Sequence, residues 1–250
     1  MNKKILDVKD VTKVYNSNGS EPYEALKGIS FSVDQGEFVG IMGASGSGKS
    51  TLLNILATLD QPTSGQVMVD GKNLSNLSAN QMAEFRAKKL GFIFQDFNLL
   101  ENLTVRENIQ LPLSLQNIKA KLFNNKVQEV ASQLNIQDIL EKYPSQISGG
   151  QKQRVSSARA LVSDPSLILG DEPTGALDSQ NARELLDTLN DINEQGVSIL
   201  LVTHDPFSAS FCKRILFIKD GQIGEEIKSD GLSRSEFYQV ILDKLGTFEQ

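Results

Sequence analysis

One cysteine, one histidine and no tryptophan occur in the 250 residues of the chain. A lone Cys212 leaves no internal disulfide and no multi-cysteine zinc or iron–sulfur site. A lone His204 rules out histidine-rich metal centres. Positive charge is also short: 25 Lys and Arg against 31 Asp and Glu give a net charge of -6. Bulk charge therefore supplies no stripe for a phosphate backbone. No apolar run approaches the roughly 20 residues that span a bilayer. The basic tip MNKKILDVKD is interrupted by Asp7 and Lys9, so no standard secretory signal is expected and the chain is expected in the cytoplasm. Neither an internal repeat nor a low-complexity segment occurs. What remains, 39% apolar and 22% charged residues, suits a globular chain with a substantial core.

Residues 3–9 and 29–33 alternate like strands, with a turn-forming loop at 16–22 between them. The run 37–42 predicts a buried strand, followed at once by a glycine-rich loop and the apolar helix TLLNILATL. QVMVD at 66–70 reads as a strand closed by an Asp70-Gly71 turn. From about 76 to 162 polar-faced helical patterns dominate (78–88, 104–115, 119–134 and 150–162), carrying one strand-like piece at 91–95. Buried strands return at 166–171, 197–203 and 214–219, with a helix at 180–193 between the first two. Strands alternating with helices imply a parallel, helix-covered sheet. Phe237, Val240, Ile241 and Leu245 recur at helical spacing and predict a packed C-terminal helix from Ser233.

Residues 43–50 read GASGSGKS, the G-x-x-x-x-G-K-[ST] pattern, after a strand and before a helix. Glycines let the backbone wrap an anion, and the helix adds its positive end. Lys49 is expected on the β- and γ-phosphates and the Ser50 hydroxyl on Mg²⁺. SLILGDE at 166–172 delivers two carboxylates to the ligand-binding edge of a parallel sheet. Asp171 is expected in the Mg²⁺ shell and Glu172 beside an attacking water. SGGQK at 148–152 opens a second helix with two glycines. Either Ser148 simply caps that helix, or the segment closes over a nucleotide held by another copy of the chain.

The ordered set GASGSGKS, Gln95, ISGGQKQR, LILGDEPTGALD and His204 resembles the ATP-binding subunit of ABC transporters, over about residues 4–225. The resemblance implies an α/β fold. It would be a P-loop NTPase ABC cassette with a mostly parallel core sheet, an antiparallel β subdomain and a helical subdomain. Residues 1–230 would form one ATPase domain, with the helical subdomain at about 76–162, and 231–250 a C-terminal helical extension. Two copies would pair head to tail, each ATP lying between the phosphate loop of one and the signature of the other.

Residue by residue, the resemblance implies that Tyr15 stacks on adenine. Gly43, Ala44, Ser45, Gly46, Ser47, Gly48, Lys49, Ser50 and Thr51 would bind the nucleotide. Ser148, Gly149, Gly150 and Gln151 would form the signature, and Asp178 would lie at the dimer seam. Gln95 would sense Mg²⁺ and water, Glu172 act as general base, and His204 contact the γ-phosphate. Ser50, Gln95 and Asp171 would hold Mg²⁺. Ile147 and Gly170 depart mildly from the family pattern, and Gly175 stands where many members have serine. Together with GFIFQDFNLLENLTVREN and VTHDP, these residues look most like the bacitracin-type peptide-resistance group. The wider group includes macrolide export and lipoprotein release.

Such an ATPase would sit at the cytoplasmic face of the cell membrane through a permease subunit. Phe97, Leu99, Leu100 and Leu103, beside Gln95, are expected to supply part of the permease groove. A soluble ABC ATPase acting on nucleic acid or ribosomes is the reading of another class. One cassette, no long coiled coil and the acidic balance weigh against it.

Overall fold

The computed structural model describes residues 3–16, 21–116 and 119–248, so most of the predicted loop at 16–22 lies outside the described residues. Two sheets organise the chain. The first is antiparallel, in the order β2 (Tyr23–Asp34), β1 (Lys4–Tyr15), β4 (Ser64–Val69), β5 (Lys72–Asn73). β1 and β2 run well beyond the short alternating runs legible in the sequence. Register shifts along the β1–β2 ladder break the strict alternation there.

The second sheet has six strands in the order β10 (Gln222–Lys228), β9 (Arg214–Lys219), β3 (Phe38–Met42), β8 (Ser198–Val202), β7 (Leu167–Asp171), β6 (Leu90–Ile93). All neighbours are parallel except the β10–β9 hairpin. Its central strands are buried on both faces, as covered parallel strands must be. Phe38, Met42, Ile199 and Leu201 face one apolar cluster, and Val39, Ile41, Leu200 and Val202 the other.

Helix α1 (Lys49–Leu56) covers the second face with Leu52, Leu53, Ile55 and Leu56. The helices α2 (Ala79–Lys89), α3 (Val105–Ser114), α4 (Phe123–Gln133) and α5 (Gly149–Leu161) follow the predicted patterns within a few residues. The strand-like piece between α2 and α3 is β6, which joins the core sheet at its edge. Helix α6 (Ser179–Glu194) lays Leu185, Leu186, Leu189 and Ile192 on the first face. The short α7 (Pro206–Ala209) and the terminal α8 (Arg234–Phe248) lie on that side too. Phe237 and Ile241 of α8 are buried as expected, but Val240 is 38% exposed because it falls on the outer face. Among the described residues, no helix is long and apolar enough to cross a membrane.

Strand order dictates what meets at the C-terminal edge. The loops after β3, β8, β7 and β6 emerge there side by side, carrying residues 43–48, His204, Asp171–Glu172 and Gln95 in that spatial order.

Candidate functional site: a nucleotide pocket at the sheet edge

The loop after β3 turns into α1 at Gly48, whose φ is 106°. A Cβ there would lie 2.7 Å from Ala25 O, so the turn admits only glycine. No side chain caps α1 and no acidic residue occupies its first turn. Its positive N-terminal end therefore faces the pocket. Lys49 Nζ donates to Gly43 O and Ala44 O, both at 2.8 Å. The buried Ser47 Oγ has no hydrogen-bond partner among the described residues. Ser47 does not line the pocket, but an uncapped helix start and a lysine folded onto its own loop together fit a polyphosphate. Gly43, Ala44, Ser45, Gly46 and Gly48–Thr51 line a pocket of about 650 Å³ with Asp171, Glu172 and His204.

The carboxylates set its electrostatics. Burial raises the Asp171 pKa, the neighbouring Glu172 charge raises it further, and Lys49 opposes both. Burial lowers the Lys49 pKa against the pull of Glu172 and Asp171. A divalent cation at Asp171 relieves this crowding of negative charge. Ser50 and Asp171 both line the pocket, so the donor set suits Mg²⁺ shared with phosphate oxygens. Among the described residues no cluster of three or more Asp, Glu, His and Cys forms a separate metal cage.

Glu172 has φ 44°, the left-handed region that costs a non-glycine residue roughly 1–3 kcal/mol. Its N–H bonds Val202 O and its carbonyl accepts from Gly175 N, which holds the bend. The bend turns the carboxylate toward His204, whose Nδ1 lies 2.5 Å from Glu172 Oε2. His204 follows the buried strand β8 and precedes Asp205, the cap of α7. Its side chain is 68% exposed, so it contributes little to packing. His204→Ala is expected to lower ATP turnover by about 10²-fold. Its melting temperature should stay near that of the wild type. A much lower melting temperature in calorimetry contradicts the active-site role.

Gln95 lines a neighbouring cavity of about 680 Å³ that shares Glu172 and His204 with the phosphate pocket. Its side chain lies against Gly175, where a Cβ would come within 3.0 Å of Gln95 Nε2. Tyr15, Asp178 and the signature residues Ser148, Gly149, Gly150 and Gln151 are not drawn into the phosphate pocket. Tyr15 donates its hydroxyl to Asp60 Oδ2 at 2.9 Å and has Lys13 over its ring. The pocket wall at that end is Tyr23, the cross-strand partner of Tyr15. Asp178 is exposed and caps α6, accepting from Gln180 N and Asn181 N at 3.0 Å. Ser148 and Gln151 form a reciprocal capping box at the start of α5. Gly150 packs on Asn181, where a Cβ would meet Oδ1 at 2.1 Å. Ser148 and Gly149 are thus exposed beside the buried Gly150, and no signature residue lines this chain's own phosphate pocket.

A family model described as ABC transporter matches residues 26–175. The chain belongs to the ABC transporter family. It is 49% identical over 242 residues to "ABC transporter ATP-binding protein YxdL" of Bacillus subtilis, covering 96% of this chain and 93% of that protein. It is 49% identical over 240 residues to "Bacitracin export ATP-binding protein BceA" of Halalkalibacterium halodurans, covering 95% of each. Among solved structures, a dimeric post-hydrolysis state of the ATP-binding cassette MJ0796 with ADP and Pi superposes with a TM-score of 0.81. It is 40% identical, covering 89% of this chain and 98% of that one.

This ABC ATPase carries four pocket residues that sequence reasoning missed, the strand-end residues Met42 and Val202 and the more distant Tyr23 and Leu245. Tyr23 follows the long loop, so nothing local marks it as facing the phosphate loop. Leu245 arrives from α8, about two hundred residues further along the chain. An apolar groove of about 340 Å³ opens between α2, β6, α3 and α5, lined by Leu59, Phe92, Phe94, Leu111, Leu115 and Arg159. Phe97, Leu99, Leu100 and Leu103 do not line it. Leu99 instead packs on the core, while Leu100 stays 47% exposed. The ABC ATPase pays out its loop past Gln95 along Arg159, whose guanidinium holds Phe97 O and Asn98 O.

Proposed function

We propose that this ABC ATPase powers a membrane permease that removes peptide antibiotics of the bacitracin kind, working as a head-to-tail dimer at the cytoplasmic face of the membrane. The observation that carries this reading is the nearly full-length similarity to a bacitracin export ATP-binding protein. The ATPase domain would comprise residues 1–230 and the terminal helix would be an extension of it.

In this reading Lys49 and the first turn of α1 bind the phosphates. Ser148, Gly149, Gly150 and Gln151 of the other copy cover them, and Asp178 lies at the seam. Tyr15 and Tyr23 are the candidates for the adenine end. Mg²⁺, held by Ser50, Asp171 and Gln95, would neutralise phosphate charge. Glu172 takes the proton of the attacking water, and His204 holds that carboxylate in line. Positioning and fixed charge supply most of the rate enhancement.

The apolar groove would receive a short permease helix, because Phe94 lines it one residue before Gln95. Leu115 is 76% exposed at its rim. Leu115→Glu is expected to lose permease co-purification while ATP affinity of the isolated chain stays within about twofold. Unchanged co-purification rules the groove out. The function itself is tested by gentle solubilisation of native membranes and identification of what accompanies the tagged chain. One many-span permease, with bacitracin sensitivity in a Glu172→Gln strain, supports the proposal. A pair of shorter permeases points to lipoprotein release instead, and ribosomes or DNA-binding proteins overturn transport.

A further inference from the structure

Gln153 lies two residues past the SGGQ segment, on the inward side of α5, and is completely buried. Its Nε2 donates to Pro173 O at 2.7 Å and to Phe94 O at 3.2 Å. Pro173 directly follows Glu172, and Phe94 directly precedes Gln95. Both acceptors are carbonyls, so only the amide nitrogen can face them, and the orientation of the carboxamide is determined. Its Oε1 is buried and has no partner among the described residues. A buried acceptor left unpaired is unfavourable, and an apolar side chain of the same length would avoid it. What the amide uniquely provides here is its pair of N–H donors.

The same helix holds the other side of the Gln95 loop. Arg159 donates to Phe97 O at 2.8 Å and to Asn98 O at 2.5 Å. Phe97 and Asn98 both have positive φ, so this stretch follows no regular path of its own. The Phe97 ring in turn approaches Gly149, with its Cζ 3.9 Å from a Cβ built there. Helix α5 therefore presents the signature at its start, brackets Gln95 from both sides and reaches the backbone just beyond Glu172. Of its side chains, Gln153 alone bonds both catalytic loops among the described residues.

We propose that Gln153 is a positioning residue that links the nucleotide bound across the dimer seam to this copy's own hydrolytic residues. When the signature end of α5 engages the phosphates on the other copy, the helix shifts. A hydrogen bond weakens steeply with small changes in length and angle. One amide held by two loops therefore transmits the shift to Gln95 and Glu172 together. The two ATP sites of the dimer then fire as a coupled pair. This inference rests on the head-to-tail dimer and on Glu172 as the hydrolytic base.

The test is steady-state ATP hydrolysis by the full-length chain carrying Gln153→Met, which keeps the length and removes both donors. The wild type is expected to show a Hill coefficient for ATP near 2. The variant is expected to show a coefficient near 1 and a kcat about tenfold lower, with half-saturation within about twofold and a melting temperature close to wild type. A purely packing role predicts that methionine is tolerated. Wild-type kcat and Hill coefficient in the variant therefore overturn the proposal, as does a reduced kcat with an unchanged coefficient. A wild-type coefficient of 1 overturns it as well, since no coupling then exists to transmit. If the methionine variant melts well below wild type, Gln153→Asn replaces it with the same expected result, because its shorter arm cannot span both carbonyls. A parallel Glu172→Gln chain that still hydrolyses ATP places the fault in the base assignment and leaves Gln153 aside.

Discussion

Glu172→Gln is expected to lower ATP turnover by about 10³-fold and to leave nucleotide binding intact. The substitution preserves shape and removes the basic oxygen. Glu172 stands on a strained backbone bend fixed by Val202 O and Gly175 N, so a glutamine occupies the same place. Its partner His204 Nδ1 can still donate to the amide oxygen, which retains the local geometry. The phosphate loop is untouched. ATP is therefore expected to bind, the two copies to close over it, and the closed dimer to persist because its exit step is missing. Size-exclusion chromatography should show an ATP-dependent dimer for the variant and mainly monomer for the wild type after turnover. A variant that hydrolyses within about tenfold of wild type contradicts the general-base role.

Lys49→Ala acts one step earlier. The ammonium is buried and held by two carbonyls of the loop it serves. Asp171 and Glu172 attract it electrostatically from across the pocket. A bound polyphosphate offers it stronger, charged acceptors, each worth about 1.5–3 kcal/mol. Its loss is expected to weaken ATP binding by about 10²-fold, read by calorimetric titration. The two variants separate binding from chemistry. Lys49→Ala should never reach the ATP-bound dimer, and Glu172→Gln should never leave it. Unchanged ATP affinity in Lys49→Ala contradicts the phosphate role.

Contiguous motifs are what the sequence makes legible. GASGSGKS carries its own strand and helix start, so its cradle can be read from eight residues. His204 is legible because a single histidine ends an apolar strand. The strand order is not. Nothing local says that β3 lies between β9 and β8, yet that order brings Glu172 and His204 beside the phosphate loop and Gln95 into the cavity next to them. β10 is also hidden, because QIGEEIK places charges at Glu225, Glu226 and Lys228 on an edge strand with one exposed and one half-buried face. Tyr15 is an adenine candidate only through the family resemblance. The structure turns that hydroxyl to Asp60 and puts Tyr23 on the pocket wall, a consequence of cross-strand register. The apolar residues after Gln95 divide between core and surface, whereas the groove is assembled from α2, β6, α3 and α5. Gln153 sits inside a recognisable run, but its two acceptors lie 20 and 59 residues away.

Oxidative cross-linking tests most directly whether two copies share each ATP. One Glu172→Gln chain carries Ser45→Cys in the phosphate loop, and another carries Ser148→Cys in the signature. The native Cys212 is fully buried and burial pushes its thiol pKa up, so the introduced thiols alone react. A head-to-tail dimer predicts an ATP-dependent covalent dimer in the mixture of the two variants and little in either alone. A mixture that yields none, or a single variant that links as well as the mixture, contradicts the account.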